Sequence, residues 1–453
     1  MSGASTPTAD AKSSIPTRDL MTRDGILRSE LARELERIGQ ADVLVGIPSF
    51  NNARTVGHVV RAVSAGLAKY YPHLHCVLVN SDGGSTDGTP DIAIQAETGH
   101  HATLLVDHRR QPLHRVATTY LGAPGKGSAL RTIFRVAELV GAKACAVVDS
   151  DLRSITPEWV ELLVGPVLEH GMDFVAPLYS RHKYDGTITN GLVYPLTRAL
   201  YGRRVRQPIG GDFGFSGPFA ARLLREPEAW ETDVARYGID VWMTTRAIAD
   251  GCQVCQAYLG AKIHDTKDPG ADLTAMFTQV VGTVFELMEH YHGVWATIRG
   301  SEPVPGFGFQ YTVGVEPVAV NVERMVEMYR RGLGDLMPIW RRFLQPETCH
   351  ALVGLLGAPA AAFRFPAEVW ARVVYEAATG YHRRALPREH LLRALIPLYL
   401  GRTAAFVVQT AASDADDVEV EIETLCGLFE SMKPHLLECW DARRPEPLQG
   451  GPH

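Results

Sequence analysis

The sequence predicts an α/β fold: a mostly parallel β-sheet covered by helices on both faces, followed by a mostly helical C-terminal region. Strand-like and helix-like segments alternate over residues 42–178, which is typical of parallel strands joined by crossover helices. The strand-like segments are nearly continuous runs of Val, Leu and Ala, as expected of strands buried on both faces. Residues 321–440 show only helical patterns, so we expect no second sheet there.

The predicted elements follow in a regular order. Apolar residues at helical spacing indicate the helices, and Thr55 and Pro157 stand at helix starts, where these residue types are favoured. In the α/β part we predict helix 26–38, strand 43–48, helix 55–69, strand 76–82, helix 90–96, strand 103–107, helix 128–140, strand 144–149, helix 157–169, strand 174–178, and helices 190–201 and 271–291. In the C-terminal region we predict helices 322–331, 333–343, 367–379, 388–400 and 418–438.

The chain length of 453 residues predicts two domains. Residues 1–25 are rich in Ser, Thr, Ala and Pro without an apolar core, so we expect a disordered tail and no signal peptide. We expect the α/β domain at 26–292, a helical domain at 293–442 and a flexible tail at 443–453. The helical domain would serve packing or oligomerisation, and we expect the protein to be a homodimer.

Composition argues against several classes of partner. A net charge of -6 disfavours nucleic acid as a partner. No run of about 18 apolar residues is present, so we expect no membrane span. Seven scattered cysteines predict reduced thiols in the cytoplasm, with Cys252 and Cys255 as buried strand residues and not a zinc site.

Asp149-Ser150-Asp151 is the most informative motif, because two carboxylates follow an apolar strand. Hard oxygen ligands at the carboxyl end of a parallel strand suit a divalent cation that binds phosphate. We expect Asp151 to bind the metal, and Asp149 to bind the metal, a metal-bound water or ribose hydroxyls. His264 is the candidate for a further ligand, although an ordinary strand-end histidine is the alternative.

Other polar residues are predicted to lie at the same edge of the sheet. Ser49-Phe50-Asn51, after Pro48, and Ser81-Asp82 follow the first two strands, and Asp82 is placed to accept a hydrogen bond from a nucleotide base. Gly125-Lys126 opens a helix, where backbone amides favour an anion. This is not an ATP-binding P-loop, because Leu121 stands where that motif requires glycine.

Together these motifs resemble GT-A-fold glycosyltransferases. Downstream blocks at 176–181, 186–189, 194–196, 207–213 and 237–240, and the His264 segment, resemble in order those of glucosyl-3-phosphoglycerate synthases and the related mannosyl- and glucosylglycerate synthases. The resemblance covers about residues 42–291. It implies a retaining transferase, with Mg²⁺ or Mn²⁺, that moves a hexose from UDP-glucose or GDP-mannose to a glycerate-like hydroxy acid, as in compatible-solute synthesis.

The resemblance also implies roles for individual residues. Asp151 and His264 would hold the metal, Lys126 and Ser81-Asp82 the nucleotide, and Gly186 with Thr189 would face the acceptor. Further residues of the donor site are implied at Ser150, Thr187, Gly211 and Asp212.

Two departures from the resemblance concern the acceptor. The phosphoglycerate enzymes carry an arginine where this chain has Thr187, and Arg-Asn where it has Asp265-Thr266. Loss of a guanidinium weakens oxyanion binding. We therefore predict that unphosphorylated glycerate or another small polyol acid is preferred to 3-phosphoglycerate, unless the charge is restored by Arg181, His182 or Lys183.

Several alternatives remain open. Asp240 could orient the donor sugar or acceptor in a retaining enzyme, act as general base in an inverting one, or only stabilise a helix N-terminus. A sugar-1-phosphate nucleotidylyltransferase is disfavoured because Ser49 to Ala53 is not a Gly-rich basic loop, and a polymer synthase because no Gln-x-x-Arg-Trp block is present. A non-catalytic scaffold derived from the same fold is the rival from another class.

Overall fold

An eight-stranded sheet forms the centre of the α/β part. The computed structural model describes residues 26–96, 113–120, 123–264, 274–310, 314 and 316–442. The strands of this part of the chain are β1 Val43–Ser49, β2 Cys76–Asp82, β3 His114–Thr119, β4 Ala144–Val147, β5 Phe174–Ser180, β6 Arg203–Arg204, β7 Phe213–Ser216, β8 Val254–Ala261, β9 Glu302–Pro303 and β10 Gly306–Phe307.

The sheet is mixed but mostly parallel, in the order β10-β8-β5-β7-β4-β1-β2-β3. Strand β7 runs antiparallel to β4 and β5, whereas β1 is parallel to β2 and β4. Because β1, β2 and β4 are parallel neighbours, Ser49, Asp82 and Asp149 come to the same edge. This confirms the predicted fold class.

Helices cover both faces of the sheet and make up the C-terminal region. The helices of the α/β part are α1 Ser29–Ile38, α2 Val56–Tyr70, α3 Thr89–Gln95, α4 Lys126–Leu139, α5 Glu158–His170, α6 Tyr194–Tyr201, α7 Gly217–Leu224, α8 Ile239–Ala249, α9 Thr274–His290 and α10 His292–Trp295. Those of the C-terminal region are α11 Val322–Trp340, α12 Pro346–Gly354, α13 Ala367–His382, α14 Arg388–Gln409, α15 Ala415–Ser431 and α16 Lys433–Asp441.

The structure corrects some predicted boundaries. Helices 322–331 and 333–343 are one helix, α11, because its apolar face continues through Gly332 against α14. Predicted helix 418–438 is two helices, because Pro434 in the first turn of α16 lacks the N–H that would continue α15. Helix α12 was not predicted, and predicted strand 103–107 lies outside the described residues.

The apolar core of one sheet face continues into the C-terminal helices. Residues of α4, α6 and α9 belong to the same buried cluster as residues of α11, α13 and α14, and a second cluster under α2 and α5 covers the other face. The division at residue 292 stays a prediction, since the main core crosses it.

One described helix, α14, is long and apolar enough to cross a membrane by length and composition alone, which the sequence analysis did not anticipate. Of its most apolar stretch, 72% is buried inside the protein. Core helices of globular proteins pass the same test, so this helix is weak evidence for a span.

Buried arginines connect the α/β part to helix α15. Arg198 on α6 pairs with Glu423 and, at 2.7 Å, with Glu430. Arg206 pairs with Glu419 at 2.7 Å. The side chain of Arg198 is 6% exposed, so these carboxylates must compensate the cost of burying its positive charge.

We predict that Arg198→Met lowers the free energy of unfolding by about 2 kcal/mol, because it leaves two carboxylates facing each other at a packed interface. Urea unfolding measures this loss. The control is Arg203→Met, whose pair with Glu302 has exposures of 49% and 79% and should cost less than about 0.5 kcal/mol. Equal losses in the two variants would contradict the prediction.

Candidate functional site

A cavity of about 610 Å³ opens at the carboxyl ends of the sheet strands. It collects most of the residues predicted from the sequence: Pro48, Ser49, Phe50, Gly125, Lys126, Asp149, Ser150, Asp151, Gly186, Thr187, Thr189, Gly211, Asp240 and His264. The predicted residues Asn51, Ser81, Asp82 and Asp212 lie beside the cavity and do not line it.

Asp82 holds the loop after β2 rather than facing the cavity. Its carboxylate accepts hydrogen bonds from Ser49 Oγ at 2.9 Å, from the backbone N–H groups of Gly84 and Ser85, and from Ser85 Oγ at 2.7 Å. The residue is 3% exposed. The predicted hydrogen bond from a nucleotide base would have to displace one of these donors.

The neighbouring residues divide between the rim and the interior. Phe50 is 59% exposed at the cavity rim. Asn51 adopts a left-handed backbone, and its N–H donates to Ser85 Oγ at 2.8 Å. Ser81 is fully buried, and its hydroxyl has no hydrogen-bond partner among the described residues.

Asp149 is shared by two lysines at the base of the cavity. One carboxylate oxygen lies 2.8 Å from Lys126 Nζ and the other 2.8 Å from Lys262 Nζ. Burial opposes the charged form of Asp149, but the two ammonium groups outweigh it and hold its pKa well below the usual range. This geometry opposes the predicted metal contact of Asp149, because both oxygens already face positive charges.

Lys262 extends the network to a second carboxylate. Its ammonium lies 2.7 Å from Asp212 Oδ2, and the same oxygen accepts a hydrogen bond from Tyr179. Asp212 is fully buried and also accepts the backbone N–H of Asp149 at 2.7 Å. Asp212 is therefore a supporting residue, which fixes Asp149 and Lys262.

Gly211 permits the close approach of these groups. Its φ of +91° is a left-handed conformation, and a Cβ there would clash with Asp149 Oδ2. Its carbonyl accepts a hydrogen bond from Lys126 Nζ at 3.0 Å.

Asp240, in the first turn of α8, completes the network on the other side of Lys126. Its Oδ1 lies 3.2 Å from Lys126 Nζ. Burial raises the pKa of Asp240, which Lys126 counteracts only in part. Burial lowers the pKa of Lys126, but the charges of Asp149 and Asp240 outweigh burial and raise it overall.

Asp151 and His264 face the cavity on the side of Asp185. Burial, and then the charge of Asp149, raise the pKa of Asp151. His264 Nε2 lies 3.6 Å from Asp185 Oδ2. Burial raises the pKa of Asp185, but the hydrogen bond from His264 and the charge of Arg181 bring it down to about 2.

These residues fit a metal ion that arrives with its substrate. In the described part of the chain, no three His, Cys, Asp or Glu side chains are close enough to form a metal site by themselves. Mg²⁺ commonly uses one or two carboxylates, with substrate phosphates and water as its other ligands. Asp151 with His264 provides such a partial ligand set.

The segment after β5, which contains Asp185, also lines the cavity. Gly186 has a left-handed φ of 71°, and Thr187 Oγ1 lies 2.6 Å from the hydroxyl of Tyr399 on α14. Of the three basic residues considered for the acceptor, only Arg181 lines the cavity. Lys183 instead donates to backbone carbonyls of the C-terminal region.

Sequence reasoning missed Lys262, Asp185 and Tyr399. Lys262 follows β8 at the same sheet edge as the other site residues, and this position was a usable signal. Nothing local marks Asp185 or Tyr399.

Residues 44–225 match the family model described as Glycosyl transferase family 2. This segment is similar to the domains of that family. The match includes β1, β2 and β4 and the Asp149 to Asp151 motif, and it confirms the predictions of a GT-A-type fold and of a glycosyltransferase.

Two solved structures are similar over the glycosyltransferase domain. Glucosyl-3-phosphoglycerate synthase of Mycobacterium tuberculosis, in complex with Mn²⁺, UDP and glucosyl-3-phosphoglycerate, is 25% identical over 56% of this chain and 83% of that chain, with a TM-score of 0.42. The same enzyme with Mn²⁺, UDP-glucose and phosphoglyceric acid is 23% identical over 57% and 84%, with a TM-score of 0.41. No curated protein matches the sequence. With TM-scores below 0.5, these similarities by themselves establish neither ligand nor reaction for this chain.

We predict that Lys262→Met lowers the free energy of unfolding by about 3 kcal/mol, because Asp149 and Asp212 would remain buried without this cation. Thermal or urea unfolding measures the change. Lys143→Met is the matched control, because Lys143 pairs with Asp42 at 2.7 Å but its side chain is 71% exposed. The prediction fails if the Lys262 variant is as stable as the control.

Proposed function

We propose that the protein is a metal-dependent hexosyltransferase that moves a hexose from a nucleotide diphosphate sugar to a small hydroxy acid. The observation that carries this proposal is that Asp151 and His264 line one cavity, most of whose lining residues lie in the segment that matches Glycosyl transferase family 2. UDP-glucose is the first donor to test, because the sequence motifs resemble those of glucosyl-3-phosphoglycerate synthases; GDP-mannose is the second.

Each part of the donor has a corresponding feature in the cavity. Asp151 and His264 would hold Mg²⁺ or Mn²⁺, which supplies Lewis-acid stabilisation of the departing diphosphate. The exposed ring of Phe50 offers a face for the nucleotide base. The N-terminus of α4 at Gly125 lies in the same cavity and favours an anion.

Lys126 and Asp240 are proposed to act on the transferred sugar. Lys126 already balances Asp149 and Asp240, so its role is to hold these carboxylates in position and to donate to a sugar or phosphate oxygen. Asp240 Oδ1 is buried and forms an ion pair with Lys126 Nζ at 3.2 Å, without a well-aligned hydrogen bond in the described structure. A sugar hydroxyl could donate such a hydrogen bond to it.

The stereochemistry has two candidate outcomes. Retention follows the resemblance, with Asp240 orienting the sugar; inversion would require Asp240 as general base. The raised pKa of Asp240 favours proton uptake by its carboxylate. This observation supports inversion as the second candidate. The anomeric configuration of the product, read by NMR, separates the two.

The compartment and assembly are further proposals. All seven cysteines are free thiols, most of them buried, which supports the cytoplasm as the location. The homodimer proposal is tested by light scattering of the purified protein.

We predict that Asp151→Asn reduces glycosyl transfer about a hundredfold or more, because the variant keeps the shape of the side chain but loses the charge that holds the metal. The measurement is product formation from UDP-glucose with Mn²⁺, scored by mass. Asp91→Asn, on the exposed face of α3, is the control. A fully active Asp151 variant would place the metal elsewhere.

We predict that glycerate is a better acceptor than 3-phosphoglycerate. Thr187 offers no positive charge, and Lys183 is occupied by backbone carbonyls, which leaves Arg181 as the basic side chain on this wall. One guanidinium suits a single carboxylate better than a carboxylate with a phosphate. The test compares kcat/KM for both acids, and a clear preference for 3-phosphoglycerate would overturn the argument.

If neither donor is hydrolysed or transferred with any divalent metal, the non-catalytic scaffold becomes the better explanation. The experiment is therefore run as a matrix of UDP- and GDP-sugars against several hydroxy acids, with and without chelator.

A further inference from the structure

The segment from residue 181 to residue 189 forms one wall of the cavity. Arg181, Asp185, Gly186 and Thr187 all line the cavity. The backbone N–H of Asp185 donates to the carbonyl of His182 at 2.8 Å, and helical structure begins only at residue 187. Because residues 181–186 belong to no helix or strand, their conformation also depends on contacts from outside the segment.

Those contacts come from α14 and the turn that follows it. Thr187 Oγ1 and the Tyr399 hydroxyl are 2.6 Å apart, and both residues are buried. Lys183 Nζ donates to the carbonyls of Thr410 at 2.7 Å and Ser413 at 2.9 Å. The Tyr184 hydroxyl also donates to the carbonyl of Val407 on α14 at 3.3 Å, so three side chains attach the segment to the C-terminal region.

Helix α14 is itself firmly held. The ring of Tyr399 packs on that of Phe277 of α9, with centroids 4.8 Å apart. The Trp340 indole N–H of α11 donates to the carbonyl of Ala394 at 2.8 Å. Helix α14 therefore provides a rigid support against which the cavity wall is fixed.

We propose that α14 is a positioning element of the acceptor subsite, acting through Tyr399 and Lys183 on residues 183–187. This inference rests on the proposed function, with Gly186 and Thr189 facing the acceptor as the resemblance implies, and Thr187 lies between these two residues. Tyr399 and Lys183 are positioning residues, because they act through the wall rather than on the substrate.

The proposal has a specific kinetic consequence. If the wall samples several conformations, only the fraction of molecules in the competent conformation binds the acceptor. The apparent dissociation constant for the acceptor then equals the intrinsic constant divided by that fraction. The donor side is built from Asp149, Asp151, Lys126 and His264. It contacts the segment where His264 lies 3.6 Å from Asp185, a contact that neither Tyr399 nor Lys183 makes. Loss of the tie at Tyr399 or Lys183 should therefore affect the acceptor and spare the donor.

The test is Tyr399→Phe, which removes only the hydroxyl. We expect the acceptor KM to rise about fivefold to tenfold, as for the loss of one buried hydrogen bond, with the donor KM and acceptor-independent donor hydrolysis unchanged. Amide hydrogen exchange of residues 181–190 should become faster. The matched control is Tyr375→Phe, because the Tyr375 hydroxyl is also buried and donates to the Phe429 carbonyl at 2.6 Å, far from the cavity.

Lys183→Met tests the second tie and should give the same pattern. Its control is Lys433→Met, since Lys433 Nζ likewise donates to backbone carbonyls, those of Ala199 at 2.8 Å and Ile298 at 2.9 Å. The control can lower stability but should leave the acceptor KM and the exchange of residues 181–190 at their wild-type values.

The outcomes separate the two proposals. Transfer by the wild type, with an unchanged acceptor KM or unchanged hydrogen exchange in Tyr399→Phe, would overturn the positioning role alone. A similar rise in acceptor KM in Tyr375→Phe would overturn it too, since the effect would then be general loosening. A wild-type protein that transfers hexose to no acceptor would overturn the proposed function.

Discussion

The arrangement of the site depends on one partly buried carboxylate, Asp149, that is held between two ammonium groups. Lys126 and Lys262 together carry two positive charges, and they face the carboxylates of Asp149, Asp212 and Asp240. These five side chains come from different elements of the sheet edge. An unpaired charge is costly in a packed interior. The ion pairs therefore fix the positions of these elements relative to one another.

This pairing gives the two carboxylates of the Asp-Ser-Asp motif different environments. Asp149 has its charge balanced by lysines. Asp151 lies two positions further along the chain. Its pKa is raised by burial and by the charge of Asp149, and it has no described lysine, arginine or histidine partner within ion-pair distance. A cation from outside the protein would relieve that imbalance, and a nucleoside diphosphate would supply the phosphate oxygens that complete its coordination shell. Under the proposed function, the same motif combines one carboxylate that holds the site together with one that binds the metal.

Features that depend on the local residue pattern could be predicted from the sequence. Strand β2 was predicted residue for residue, and Asp149 was placed correctly at the carboxyl end of a buried strand. Its partner Lys262 lies 113 positions along the chain, and no periodicity encodes such a pairing. Long-range packing also explains why α11 is one helix and not two. Gly332 suggested an interruption from local pattern, and tertiary packing overrides it.

The two sides of the cavity draw on different parts of the chain. The donor side consists of strand ends and their charge network, whereas the wall near Thr187 depends on a hydrogen bond to Tyr399, 212 residues away. Under the proposed function, changes in the C-terminal helices would alter acceptor binding without disturbing the groups that hold the nucleotide sugar. A helical region without catalytic motifs of its own would then influence which acceptor is used, because the conformation of that wall is not determined by the wall's own residues.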